Sequence, residues 1–213
     1  MREPCSSELL VIDLDNTLYA ADNGVFARMD TRMTAFISQA LQLEEEEANR
    51  LRINYWKKYG STLRGLMLHH DMQAEDFLHD VHNIDAHELL QPNQLLDVAL
   101  SALTGRKVIH TNGTCEHAEC ILSALGVRHH FETIYDIRYN EYFPKPCANT
   151  LKMLLDDEGV SPAQVLVLDD MQENLAVAQK LGAKTCWISS QHDAHHWDYQ
   201  ASSLEAFVFD TIA

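Results

Sequence analysis

The sequence predicts an α/β protein: a doubly wound, Rossmann-like parallel sheet core with a helical cap inserted after the first strand. Three observations carry this. Leu9 to Asp15 (LLVIDLD) and Val165 to Asp169 (VLVLD) are apolar runs that end in acids, the pattern of strands buried on both faces. From Pro92 onward, helical and strand patterns alternate, as parallel βαβ units require. Between about Val25 and Leu90 there is no convincing strand.

Taken in order, the first strand breaks at the turn-prone Asn16. Helical patterns FARMDTRMTAFISQAL and EEEEANRLRINYWKKYG follow, then shorter ones around LRGLMLHH and AEDFLHDVH. Gly60 closes the second helix and Pro92 marks the exit. The run Glu44 to Glu47 reads as a solvated helix start, where the dipole favours acidic side chains. Beyond Pro92 come a helix over Leu95 to Leu103, a strand over Lys107 to Thr111, and a helix over Glu116 to Leu125 stopped by Gly126. A short strand over Thr133 to Asp136 and a helix over Asn149 to Glu158 precede the strand Val165 to Asp169. A helix over Asn174 to Leu181 ends at Gly182, Lys184 to Ser189 is the last strand, and Leu204 to Phe209 is left without an assigned structure. The expected division is residues 1–20 and 92–213 as core and 21–91 as cap.

The chain of 213 residues, 46% hydrophobic, is long enough to bury a full core. No stretch of about 18 apolar residues occurs, and Met1 to Leu10 carries Arg2, Glu3 and Glu8 without an apolar leader core, so neither a membrane nor export is expected. Five cysteines form an odd set without a CxxC pair, which argues against a disulfide framework or zinc site and points to a reducing cytoplasm. The net charge of -16, with no basic stripe, argues against nucleic acid. An acidic protein that handles a phosphate ester must neutralise it locally, with a metal ion and well-placed lysines.

Four polar clusters fall at or just beyond the expected strand ends: Asp13 to Thr17, Thr111-Asn112-Gly113, Pro144-Lys145-Pro146, and Asp169-Asp170 with Glu173 and Asn174. Ligands bind at these ends in open α/β sheets. Asp13 and Asp15 are separated by one residue, so strand alternation sends both carboxylates to one side. Two like charges that close call for a cation, and the second acidic pair offers the oxygen ligands that magnesium prefers. One carboxylate can then attack phosphorus while the other moves the leaving-group proton. Thr111 and the N–H groups of Asn112 and Gly113 can bond phosphoryl oxygens, and Lys145 can offset the accumulated negative charge. Each cluster alone is ordinary: a DxD pair, a Thr-Asn-Gly turn, a loop lysine, an Asp-Asp cap. Their joint placement and order are not.

VIDLDNTLY (11–19), IHTNG (109–113), FPKP (143–146) and VLVLDDMQENLAVAQKLG (165–182) resemble the four motifs of the haloacid dehalogenase-like hydrolase superfamily. YGSTLRGLMLHH (59–70), with the DNTLY and DDMQENL variants, is similar to the pyrimidine 5'-nucleotidase group. The resemblance implies that Asp13 forms an aspartyl-phosphate and that Asp15 acts as acid and then base. It implies that Asp13, Asp170 and the backbone carbonyl of Asp15 hold Mg2+, with Thr111 and Lys145 on the phosphoryl group. The family's spacing selects Asp170 as ligand, four residues before Asn174, and leaves Asp169 behind it. The dehalogenases of the superfamily lack an acid two residues after the first Asp, so Asp15 argues for phosphoryl transfer.

The implied substrates are small phosphorylated metabolites, pyrimidine nucleoside 5'-monophosphates first. Another small phosphomonoester, a phosphomutase reaction, or binding without turnover are the other readings. Tyr59 and Arg64 could hold a pyrimidine ring, and the insertion would be a cap over the site. His192 and His196, spaced i, i+4, read as a polar surface turn rather than a zinc site, and the sequence does not set an oligomeric state.

Overall fold

The computed structural model describes residues 7–191 and 196–212. Its strands β1 (Leu9–Ile12), β2 (Arg106–His110), β3 (Thr133–Tyr135), β4 (Val165–Asp169), β5 (Lys184–Ile188) and β6 (Tyr199–Ala201) form one sheet in the order β3-β2-β1-β4-β5-β6. Every pairing is parallel. The chain builds outward from β1 through β2 and β3, then crosses back to the other side of β1 for β4. Such a reversal opens a crevice beyond the carboxyl ends of the strands.

Alternation along the strands feeds two cores, because successive side chains leave a strand on opposite faces. Leu10, Ile12, Ile109, Leu166 and Leu168 belong to one apolar cluster. Leu9, Val11, Val108, Val165 and Val167 belong to the other. Helices α5 (Gln94–Ala102), α6 (Cys115–Leu125) and α9 (Leu204–Ile212) close the first through Leu96, Ile121, Leu122 and Leu204. Helices α7 (Ala148–Glu158) and α8 (Gln172–Leu181) close the second through Leu151, Leu154 and Leu175. Each fully buried leucine contributes about 1.5–3 kcal/mol.

Between β1 and β2 the chain is helical: α1 (Val25–Leu41), α2 (Glu45–Tyr59), α3 (Thr62–His70) and α4 (Ala74–Val81), then α5. Gly60 ends α2 in the left-handed conformation, φ 81°. The first apolar cluster runs on into these helices through Val25, Ile37, Leu66 and Phe77. Among the described residues, no helix is long and apolar enough to cross a membrane.

Three elements differ from the sequence expectation. β1 ends at Ile12, short of Asp15. The Asp13 N–H still reaches Leu168 O at 2.9 Å, but Thr17 and Leu18 then donate back to Leu14 O and Asn16 turns at φ 63°. Strand alternation therefore does not place Asp15; this turn does. A sixth strand, β6, follows the expected last one, and the carboxyl-terminal stretch is a helix with Leu204, Phe207 and Val208 buried at i, i+3, i+4. Of the histidine-rich segment, residues 192–195 lie outside the described residues, and the expectation of a His192–His196 surface turn lies there with them.

Candidate active site

Asp13 lies one residue past β1 and is 8% exposed. Its Oδ1 accepts from Lys145 Nζ at 2.7 Å and its Oδ2 from the Thr17 hydroxyl at 2.8 Å. Lys145 sits in the loop before α7, and its Nζ also donates to His110 O (2.7 Å) and Asp169 Oδ2 (3.0 Å). Three acceptors match the three ammonium protons. The Asn112 amide ties this loop to β2, accepting from Lys145 N at 2.7 Å and donating to Lys145 O at 3.3 Å. Burial works against the ammonium, but Asp13 and Asp169 raise its pKa above the ordinary lysine value. Burial also raises Asp13 well above the usual carboxylate range; Lys145 opposes this, while Asp169 and Asp170 add to it.

At the end of β4, carboxylate oxygens of Asp169 and Asp170 come within 4.8 Å of each other and of Asp13. Asp169 is already engaged, by Lys145, by Met171 N–H (2.8 Å) and by Asn174 Nδ2, 2.9 Å from each oxygen. Among the described residues the Asp170 carboxylate has no side-chain hydrogen-bond partner, while its carbonyl accepts from Trp187 Nε1 at 2.9 Å. Burial, then Asp169, push Asp170 up to about 7. Three hard carboxylates converging with one cation among them are a donor set that fits a divalent ion with oxygen preference. A second convergence, Asp97 with His129 and His130, is accounted for by a 2.7 Å hydrogen-bond contact of His130 Nε2 and a 3.1 Å ion-pair approach of His129 Nε2 to one carboxylate oxygen.

Asp15 faces different partners from Asp13. Its Oδ1 accepts from the Tyr19 hydroxyl at 2.5 Å and lies 2.8 Å from His117 Nε2. Burial favours the neutral acid, yet His117, followed by the Tyr19 hydrogen bond, brings its pKa below the ordinary value. Thr111 is 1% exposed, and its Oγ1 accepts from Gly113 N–H at 2.9 Å. The Gly113 N–H expected to face a phosphoryl oxygen is thus engaged within its own turn. The N–H groups of Leu14, Asp15 and Asn112 have no protein acceptor among the described residues.

The two residues expected to read a substrate from the insertion are set differently. Arg64 lies over the Phe143 ring at 4.3 Å, beside the Lys145 loop, and Gly60 comes close enough to that loop for an added Cβ to meet Lys145 O at 3.4 Å. Tyr59 is joined to His69 Nε2 at 2.5 Å, just as Tyr55 is to His70 Nε2 at 2.8 Å. Sequence reasoning missed Tyr19, His82 and His117. Tyr19 had a signal, being four residues from Asp15 inside DNTLY; His117, 102 residues away, had none.

Fold and site define an α/β protein whose acids gather round one buried lysine at the carboxyl edge of a parallel sheet. The chain belongs to the haloacid dehalogenase-like hydrolases, whose family model matches residues 8–182. It is 25% identical over 192 residues to phosphate metabolism protein 8 of Saccharomyces cerevisiae, covering 82% of this chain and 59% of that protein's length. Among solved structures it is similar to a HAD phosphatase from Thermococcus onnurineus, with TM-score 0.65 and 16% identity over 92% of this chain and 94% of that one. YfnB of Bacillus subtilis, solved bound to magnesium, gives TM-score 0.66 and 14% identity over 98% and 100%. An L-2-haloacid dehalogenase from Xanthobacter autotrophicus gives 0.59 and 14% over 93% and 96%. At such identities the likeness is one of fold.

Proposed function

We propose that the chain is a magnesium-dependent phosphomonoesterase that works through an aspartyl-phosphate on Asp13. The observation that carries this reading is the carboxyl of Asp15, held by Tyr19 and His117 two residues after the lysine-bound Asp13, since a departing alkoxide needs a proton and a departing halide does not. Asp13, Asp170 and the Asp15 carbonyl are the groups that would hold magnesium, which supplies positive charge against the phosphoryl oxygens and the clustered carboxylates.

An Asp13 oxygen bonds to phosphorus as the ester P–O bond breaks, and the ester oxygen leaves with the bonding pair and takes a proton from Asp15, which must first have gained it against the pull of His117 and Tyr19. Water then attacks phosphorus, gives a proton to Asp15, and the bond to Asp13 breaks to release phosphate. Lys145 keeps Asp13 oriented throughout. Thr111 Oγ1, fixed by Gly113 N–H, and the N–H groups of Leu14 and Asn112 serve as donors to the phosphoryl oxygens.

Residues 21–91 act as a cap over a core of 1–20 and 92–213. Its contacts with the Lys145 loop at Gly60 and Arg64 support that division. The substrate is a small phosphorylated metabolite, with UMP and CMP as the leading members; the exposed Tyr59–His69 pair and Arg64 are the cap groups suited to a flat ring. Cys115, Cys120 and Cys147 are free thiols, in keeping with a reducing cytoplasm. Phosphate release from UMP and CMP should exceed that from sugar phosphates, phosphoglycolate and pyridoxal phosphate, should vanish in EDTA, and should vanish in Asp13→Asn. Full turnover by Asp13→Asn defeats the mechanism; equal rates across the panel defeat the nucleotidase reading.

A further inference from the structure

We propose that His117 is the positioning residue of the acid Asp15, and that His82 brings the seating of the helical insertion to bear on it. This rests on the phosphomonoesterase reading. His117 stands in the first turn of α6, its N–H donating to the capping Thr114 hydroxyl at 3.2 Å. Its side chain is 2% exposed and its Nε2 lies 2.8 Å from Asp15 Oδ1. Tyr19 donates to the same oxygen from the turn that follows β1. Two partners on Oδ1 leave Oδ2 without a hydrogen-bond partner among the described residues, and Oδ2 is therefore the oxygen that meets the leaving group.

The imidazole is itself held from outside the core. His82 caps the end of α4 in the helical insertion, with Nδ1 3.0 Å from Leu78 O, and its ring packs on that of His117 at 4.9 Å between centroids. Gly113 makes room for both: an added Cβ there would lie 3.1 Å from His117 Cδ2 and 3.6 Å from His82 Nε2. A chain of contacts thus runs from α4 through two imidazoles to Asp15. If the insertion shifts relative to the sheet, the surface behind His117 shifts with it.

An acid matters in proportion to the basicity of the group it protonates, which gives a test that a purely structural role would not pass. The ratio kcat/KM, measured with magnesium present, reports only steps up to departure of the leaving group. It is compared for p-nitrophenyl phosphate, whose leaving group needs little protonation, and for UMP, whose leaving group is an alkoxide. His117→Ala should lower kcat/KM for UMP by about 100-fold, within the range of acid catalysis, and for p-nitrophenyl phosphate by less than about 10-fold. His117→Gln, which keeps a donor, should recover part of the UMP loss. His82→Ala should show the same selectivity at smaller amplitude and serves if His117→Ala does not fold. Equal losses on both esters in whichever of these variants folds, or no loss on either, overturn the proposal. Wild-type protein that hydrolyses neither ester overturns the phosphomonoesterase reading and this role with it.

Discussion

Asn174 Nδ2 stands 2.9 Å from both carboxylate oxygens of Asp169. Asp169 is thus surrounded by donors, with Lys145 and Met171 N–H as the others, while Asp170 keeps its carboxylate unbonded to side chains among the described residues. The two adjacent acids divide the work. Asp169 anchors the lysine that holds Asp13, and Asp170 is the one that, on the function proposed above, would face a cation. The amide at position 174 suits this arrangement, because a second acid there would meet Asp169 at contact distance.

Replacing that amide should therefore be costly in the absence of metal. Asn174→Asp turns hydrogen bonds to a charged acceptor, worth about 1.5–3 kcal/mol, into a repulsion between carboxylates. The variant should melt well below the wild type in EDTA, and magnesium should narrow the gap by compensating the added charge. Equal melting temperatures in EDTA would show that Asp169 does not depend on Asn174.

Lys145→Met tests the central ion cluster. Removing one partner of a buried charge pair costs about 3–5 kcal/mol, and here two carboxylates lose the same ammonium. Without it the folded-state pKa of Asp13, already raised by burial, rises further. The folded chain then holds more protons than the unfolded one, so its stability falls as pH rises. Urea unfolding should show a deficit against wild type that is larger at pH 8 than at pH 5. A deficit independent of pH would remove the carboxylates from the explanation.

The acids of this site were legible because they sit at the ends of VIDLD and VLVLD, where apolar runs mark the strands and chemistry shows in residue type. The turn that places Asp15 was not, because an Asp-x-Asp reads equally well as a strand continuing to Asp15. Gly113 looked like part of a phosphate turn, and its N–H is in fact spent on Thr111. His117 reaches Asp15 only because α6 starts at the end of β2, next to β1, a relation that exists in the sheet order and not in local spacing. β6, at three residues, is too short to show a period.

Magnesium binding should compete with a proton on Asp170. Its pKa, raised from 3.8 to about 7 chiefly by burial, means that the metal-free fold gains stability from protonated Asp170 fully below pH about 4, and loses it as pH rises through 7. A cation replaces that proton. The rise in melting temperature on adding magnesium should be small at pH 5 and grow towards pH 8, and Asp170→Asn should flatten this trend. A magnesium effect that is largest at pH 5 reverses the sign and rules out Asp170 as the competing group.

The helical insertion rests on a close approach that one methyl group should disrupt. Gly65 in α3 lies against Tyr55 of α2, where an added Cβ would fall 2.2 Å from Tyr55 Cγ and 2.5 Å from its Cβ. The ring cannot swing clear cheaply, since its hydroxyl is bonded to His70 at 2.8 Å and its face stacks on His69 at 5.5 Å. Gly65→Ala gains up to about 1 kcal/mol of helix propensity, but the steric penalty at such a contact is about 1–3 kcal/mol or more, so clash should outweigh propensity. Thermal unfolding should show a lower melting temperature, by roughly 2–4 °C for each kcal/mol lost in a chain of this size. Gly65→Ala combined with Tyr55→Ala should be less destabilised than the sum of the two single changes, because the second removes the atoms that the first strikes. Strict additivity, or a melting temperature raised by Gly65→Ala alone, would mean that α2 and α3 do not pack through this pair.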